Sequence, residues 1–202
     1  MGFGLLFIGF FFAVMMSLYE IFSIAMLVGY PMILVALRRL APYHRRFHLL
    51  FYVSMLSIPF ALYYAPFSLS KLGVTALQGL FAGTHVTVMQ WAYLIFLCAF
   101  QLLLLYAIAG LADELSLFAI KAMAWRNFLL VGICYLLDCI GRMPILAAYE
   151  PYFALPVILC RVLTIFLNLW LIYQCYRQIC PEEENALAFD LEPAEEQEEE
   201  ET

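Results

Sequence analysis

The chain has 202 residues, 66% of them hydrophobic, with a mean hydropathy of +0.91. Soluble domains hold roughly 45–50% apolar residues, so this composition excludes a water-soluble globular protein and points to a lipid-embedded one. The net charge of −6 averages two unlike parts: residues 182–202 carry eleven acidic side chains and no basic one, whereas the rest has ten basic against five acidic.

At about 20 residues per crossing, this length accommodates five or six spans and little else. The expected fold is all-α, a polytopic transmembrane bundle of about six helices, with five as the alternative. Residues 1–180 form the expected transmembrane domain, and 181–202 a disordered acidic tail. No basic segment precedes the first apolar run and no small-x-small cleavage site follows it, so the run is expected to stay as a span. Leu6 stands where an N-myristoylation pattern needs Ser or Thr.

Phe3 to Ser17 and Ile21 to Leu37 are two apolar runs interrupted by Glu20. Together they are too long for one crossing and tight for two, so a helical hairpin turning near residues 18–22 is preferred over one tilted helix or a re-entrant pair. The hairpin puts Glu20 at the outer turn. Ala25 and Gly29, like Gly79 and Gly83, have the small-xxx-small spacing that permits close helix contact.

"RRLAPYHRRFH" (38–48) is the densest positive loop, and Leu49 to Leu69 is the third span, interrupted by Pro59 and Pro66. Residues 70–84 read as a loop or re-entrant piece. Val86 to Leu111 is the fourth span, with Trp91 and Tyr93 expected in an interfacial belt. Asp113 and Glu114 are expected to open a helical stretch reaching Arg126, since acids suit a first turn. Phe128 to Ile140, extendable to Pro144, begins the fifth span, and Val157 to Tyr176 is the sixth.

With the 38–48 loop inside, the cytoplasmic side collects Arg38, Arg39, Arg45, Arg46, Lys121, Arg126 and Arg177, leaving only Lys71 and Arg142 outside. That asymmetry places both termini in the cytoplasm, and the acidic tail does not oppose it because Asp and Glu count little. Arg38, Arg39, Arg45 and Arg46 are expected to contact anionic lipid headgroups.

Arg161 lies in "LPVILCRVLTIFLNLW" (155–170), an apolar run long enough to cross. A charge there is costly and serves as a functional lead. Thr164 and Asn168 follow at i+3 and i+7, giving the helix one polar face. The expected partner of Arg161 is Asp138, at similar depth on the neighbouring span, with Glu20 second. Arg142, at i+4, is a local alternative partner for Asp138. The structural reading is an ion pair ordering the bundle. The functional reading is a binding site of Arg161, Asp138, Thr164 and Asn168.

His44 and His48 share helical spacing, but no third ligand accompanies them and Arg45 and Arg46 would repel a cation, so no metal is expected. The six cysteines, Cys98, Cys134, Cys139, Cys160, Cys175 and Cys180, form no C-x-x-C pair and read as small hydrophobes. There is no G-x-S-x-G, H-E-x-x-H or P-loop, so an enzyme is the least supported class. Neither a cofactor nor a nucleic-acid partner is expected.

"MGFGLLFIGFFF" and "GYPMILVALRRL", within the first 50 residues, resemble a group of uncharacterised small polytopic membrane proteins of Gram-positive bacteria. That resemblance implies a bacterial plasma membrane and carries no activity with it. In span count and size the chain also resembles substrate-binding subunits of energy-coupling-factor transporters, although an Ala-x-x-x-Ala coupling face is missing from its first helices. The leading expectation is a non-enzymatic accessory or scaffold subunit contacting other membrane proteins. The alternative is a transporter or membrane-embedded binding subunit with its site around Arg161 and Asp138.

The tail "CPEEENALAFDLEPAEEQEEEET" has too much like charge to fold alone. Its first expected role is solvation of the cytoplasmic face. Leu187, Phe189 and Leu191 alternate with Ala188 and Asp190, a period that also suits a strand added to the sheet edge of a soluble cytoplasmic partner. The same acidity could instead fold back on Arg38, Arg39, Arg45 and Arg46. Deleting residues 182–202 should leave membrane insertion and thermal stability unchanged while abolishing any soluble partner. Loss of insertion or of the folded bundle would show the tail to be structural.

Overall fold

Glycine makes the first contact in the chain. A Cβ on Gly29 would overlap the backbone of Ala13, one on Gly9 would lie 2.9 Å from the backbone nitrogen of Ile33, and Gly2 abuts Leu40. These pairings run in opposite directions along the sequence, so the first two helices pack antiparallel with backbones nearly touching. Between helices in lipid, such packing replaces the missing hydrophobic drive. The expected hairpin is therefore present.

A computed structural model describes residues 2–15, 20–74, 79–81, 83–143 and 150–179. The acidic tail and the side chain of Glu20 lie outside the described residues, and with them the expectations placed there. Helix α1 (Gly2–Phe10) continues as a π-helical turn, Phe11–Met15, and a 3-10 turn, Glu20–Ala25, leads into α2 (Met26–Leu40). Then follow α3 (Arg45–Met55), α4 (Ser57–Lys71), a 3-10 turn at Gly79–Phe81, α5 (Thr84–Glu114), α6 (Phe118–Gly141) and α7 (Glu150–Ile179). All regular structure among the described residues is helical.

Five stretches are long and apolar enough to cross a bilayer: Ser23–Leu40, Arg45–Lys71, Thr84–Glu114, Phe118–Gly141 and Tyr152–Ile179. The chain is a multi-pass membrane protein built as an all-α bundle, with α1 as a sixth, shorter apolar rod. Gly4 faces the ring of Tyr176, so α1 begins at the same end of the bundle as α7 finishes.

Pro59 explains the interruption of the third span. It has no N–H for the carbonyl of Met55, and α3 stops there; the Ser57 hydroxyl donates to the Ser54 carbonyl across the gap.

Asp113 and Glu114 do not open a helix, as their acidity suggested; they close α5. Ser116 takes a left-handed φ of 57°, its N–H reaches the Asp113 carbonyl, and the Leu117 N–H reaches the Ala112 carbonyl. Those two bonds are a Schellman stop, which overrides the charge preference. The misplaced carboxylates are compensated from outside: Lys121 donates to Asp113 at 2.7 Å, and His44 lies 3.4 Å from Glu114. His44 itself caps α3, its Nδ1 accepting from the Arg46 backbone N–H at 2.9 Å, so it does not share a helix with His48.

Gly29→Ala should lower the melting temperature of the purified protein clearly, because overpacking a tight contact costs about 1–3 kcal/mol. Gly132→Ala, where nothing stands within 4 Å of the new methyl, should be neutral or mildly stabilising in the same thermal assay.

Candidate functional site

Three helices turn polar faces toward one another. On α7 the face is Arg161, Thr164 and Asn168; on α6 it is Asn127, Tyr135 and Asp138, and α5 contributes Gln101. Spacings of three, four, seven, eight and eleven return to one side of a helix, which is how distant letters of the sequence come to share a wall.

Asp138 is 4% exposed and is held by two arginines. Arg161 Nη2 from α7 donates to Oδ2, and Arg142 Nε, just past the end of α6, donates to Oδ1 at 2.9 Å. Both expected partners of the carboxylate are thus engaged at once. A buried carboxylate tolerates this depth only when its oxygens are bonded.

One helical turn further in, Gln101 links all three helices. Its Nε2 donates to the Tyr135 hydroxyl at 3.1 Å and its Oε1 accepts from Asn168 Nδ2 at 3.4 Å. Asn127 Nδ2 donates to the Leu167 carbonyl at 3.0 Å and to Asn168 Oδ1 at 3.3 Å. Buried amides of this kind are satisfied by each other, as the absence of water in a bilayer requires.

Between these two layers is a cavity of about 60 Å³ lined by Val14, Tyr93, Leu97, Gln101, Cys134, Tyr135, Arg161, Thr164 and Ile165. Its walls come from α5, α6, α7 and the π turn after α1. Such turns widen a helix and recur at functional sites.

Of the four residues singled out from the sequence, Arg161 and Thr164 line the cavity. Asp138 and Asn168 stand one layer behind it and orient the lining. Sequence reasoning missed Gln101 and Tyr135; Gln101, an amide midway along the apolar run Leu94–Leu111, carried the available signal. Tyr93, expected in an interfacial belt, turns toward the bundle interior. It packs in an aromatic layer 4.9 Å from Tyr64 and 6.3 Å from Phe96, and shares a 3.0 Å hydrogen bond with Tyr30.

At the opposite end of the bundle Arg38, Arg39 and Arg45 are exposed. Arg46 is half-buried: its guanidinium stacks 4.0 Å over the Tyr106 ring and Nη1 donates to the Tyr106 carbonyl at 3.2 Å. Gly110 leaves the room for it, since a Cβ there would overlap the guanidinium.

No protein-family model, curated protein or solved structure matches this chain.

Asp138→Asn should destabilise the bundle by about 1–3 kcal/mol, because Arg161 and Arg142 lose a charged acceptor while both keep partial access to solvent. Arg142→Gln should cost much less, because Arg142 is 39% exposed and Asp138 keeps Arg161. In a double-mutant cycle read by thermal unfolding, Asp138→Asn combined with Arg161→Gln should recover part of the loss. Strict additivity would show that the pair is not coupled.

Proposed function

We propose that this protein binds a small polar ligand inside its transmembrane bundle, acting as a carrier or as the membrane-embedded binding subunit of one. The observation that carries this reading is the cavity beside Arg161, walled by Tyr135, Gln101 and Thr164. An accessory or scaffold subunit calls for apolar packing around a sealed ion pair. A pocket with a mostly apolar lining, into which a few polar groups converge beside a charge set in an apolar helix, supports binding instead.

In this reading the bundle sits in a bacterial plasma membrane with both ends in the cytoplasm, on the strength of the arginine and lysine asymmetry. Arg38, Arg39 and Arg45 contact anionic headgroups, while Arg46 braces α3 against α5. The acidic tail serves a soluble partner on the same side.

Purified protein equilibrated with a small-molecule cell extract, then washed and denatured, should release a polar compound identifiable by mass spectrometry. Leu97→Trp, which fills the cavity, should release none. Equal yields from both proteins would remove the binding reading.

A further inference from the structure

Hydrogen-bonding capacity around the cavity is weighted toward donors. Asp138 already accepts from Arg161 and Arg142, Gln101 Oε1 from Asn168, and Asn168 Oδ1 from Asn127. The Thr164 hydroxyl has committed its proton to the Arg161 carbonyl, 3.0 Å away, and offers only lone pairs.

The donors are less occupied. Arg161 uses Nη2 on Asp138, and its remaining N–H groups have no other acceptor among the described residues. The Tyr135 oxygen accepts from Gln101, which leaves its own proton to give. The second proton of Gln101 Nε2 is also unassigned among the described residues. All three donors belong to residues lining one cavity.

Charge points the same way. Two arginines share one carboxylate, so one positive charge is uncompensated among the described side chains of this cluster. Arg142 is 39% exposed and Arg161 31%, so the part of that charge which faces the cavity is the Arg161 guanidinium, and it favours a single negative charge there.

From this donor surplus and the single excess charge, we infer that the ligand is a small monocarboxylate. This deepens the binding reading and rests on it. The carboxylate is bound by the free edge of the Arg161 guanidinium and by the Tyr135 hydroxyl, a planar arrangement that guanidinium favours. Its short apolar body lies against Val14, Leu97 and Ile165. A volume of about 60 Å³ has room for roughly four to six non-hydrogen atoms, judged by the space one water needs. A dicarboxylate brings one charge too many, and a lipid phosphodiester is too bulky to enter.

The test is equilibrium binding of radiolabelled propionate to the full chain in nanodiscs of zwitterionic lipid. Binding should be saturable and displaced by acetate, but not by propionamide, succinate or inorganic phosphate. Tyr135→Phe, which keeps the ring but also takes an acceptor from Gln101, should weaken it about tenfold, the value of one hydrogen bond to a charged group, in protein whose thermal unfolding shows the bundle intact. Arg161→Gln should abolish it. Displacement by propionamide or by phosphate as effective as by acetate would overturn the carboxylate class. Absence of propionate binding, while wild type but not Leu97→Trp still retains an extract compound, would overturn the class and leave the binding reading standing. Absence of both would overturn the two together.

Discussion

One carboxylate between two arginines fixes the rest of the membrane-embedded architecture. Asp138 cannot be left in an apolar bundle without its oxygens bonded, so α6 and α7 must meet in the register that delivers Arg161 to it. A slip by one residue turns Arg161 through about 100° toward lipid. Arg142, from the end of the same helix as Asp138, reaches the other oxygen and holds the carboxylate from a second side. With Arg161 tied at Nη2, the rest of its guanidinium has a defined direction.

The surrounding layers keep that direction available. The Gln101–Asn168–Asn127 chain clamps α5, α6 and α7 one turn deeper. On the other flank, Phe60 stacks on Phe96 with ring centres 5.1 Å apart, and Tyr30 bonds Tyr93, which places a stiff aromatic wall beside the polar one. A cavity persists between two such walls because neither can relax into it. Aromatic rings have few rotamers, and each amide is already committed to a neighbour.

The membrane class, the hairpin and the Arg161–Asp138 pair were legible in the sequence because each rests on one-dimensional patterns: apolar run length, an acidic interruption between two runs and a charge in a greasy stretch. The ends of α5 and α6 were not. The stop at Ser116 depends on a backbone turn that a serine adopts here without the usual glycine, so acidic residues near it were read as a beginning. Gln101 and Tyr135 were overlooked for a different reason. Their importance comes from meeting residues 34 and 67 positions away, and nothing local in α5 announces those partners.

The reach of α1 has a consequence for the shape of the site. From Gly2 to Met15 it extends about 21 Å, against about 30 Å of hydrocarbon. A rod of that reach is too short to cross alone, and the turn that ends it is buried against protein at Ala13 and Val14. Irregular backbone is tolerated within a bilayer only when buried in protein or facing a wet space. Val14, in the π turn, faces the Arg161 cavity. The turn that ends the first rod thus supplies one wall of the site, so any change in the path of α1 changes the shape of the cavity.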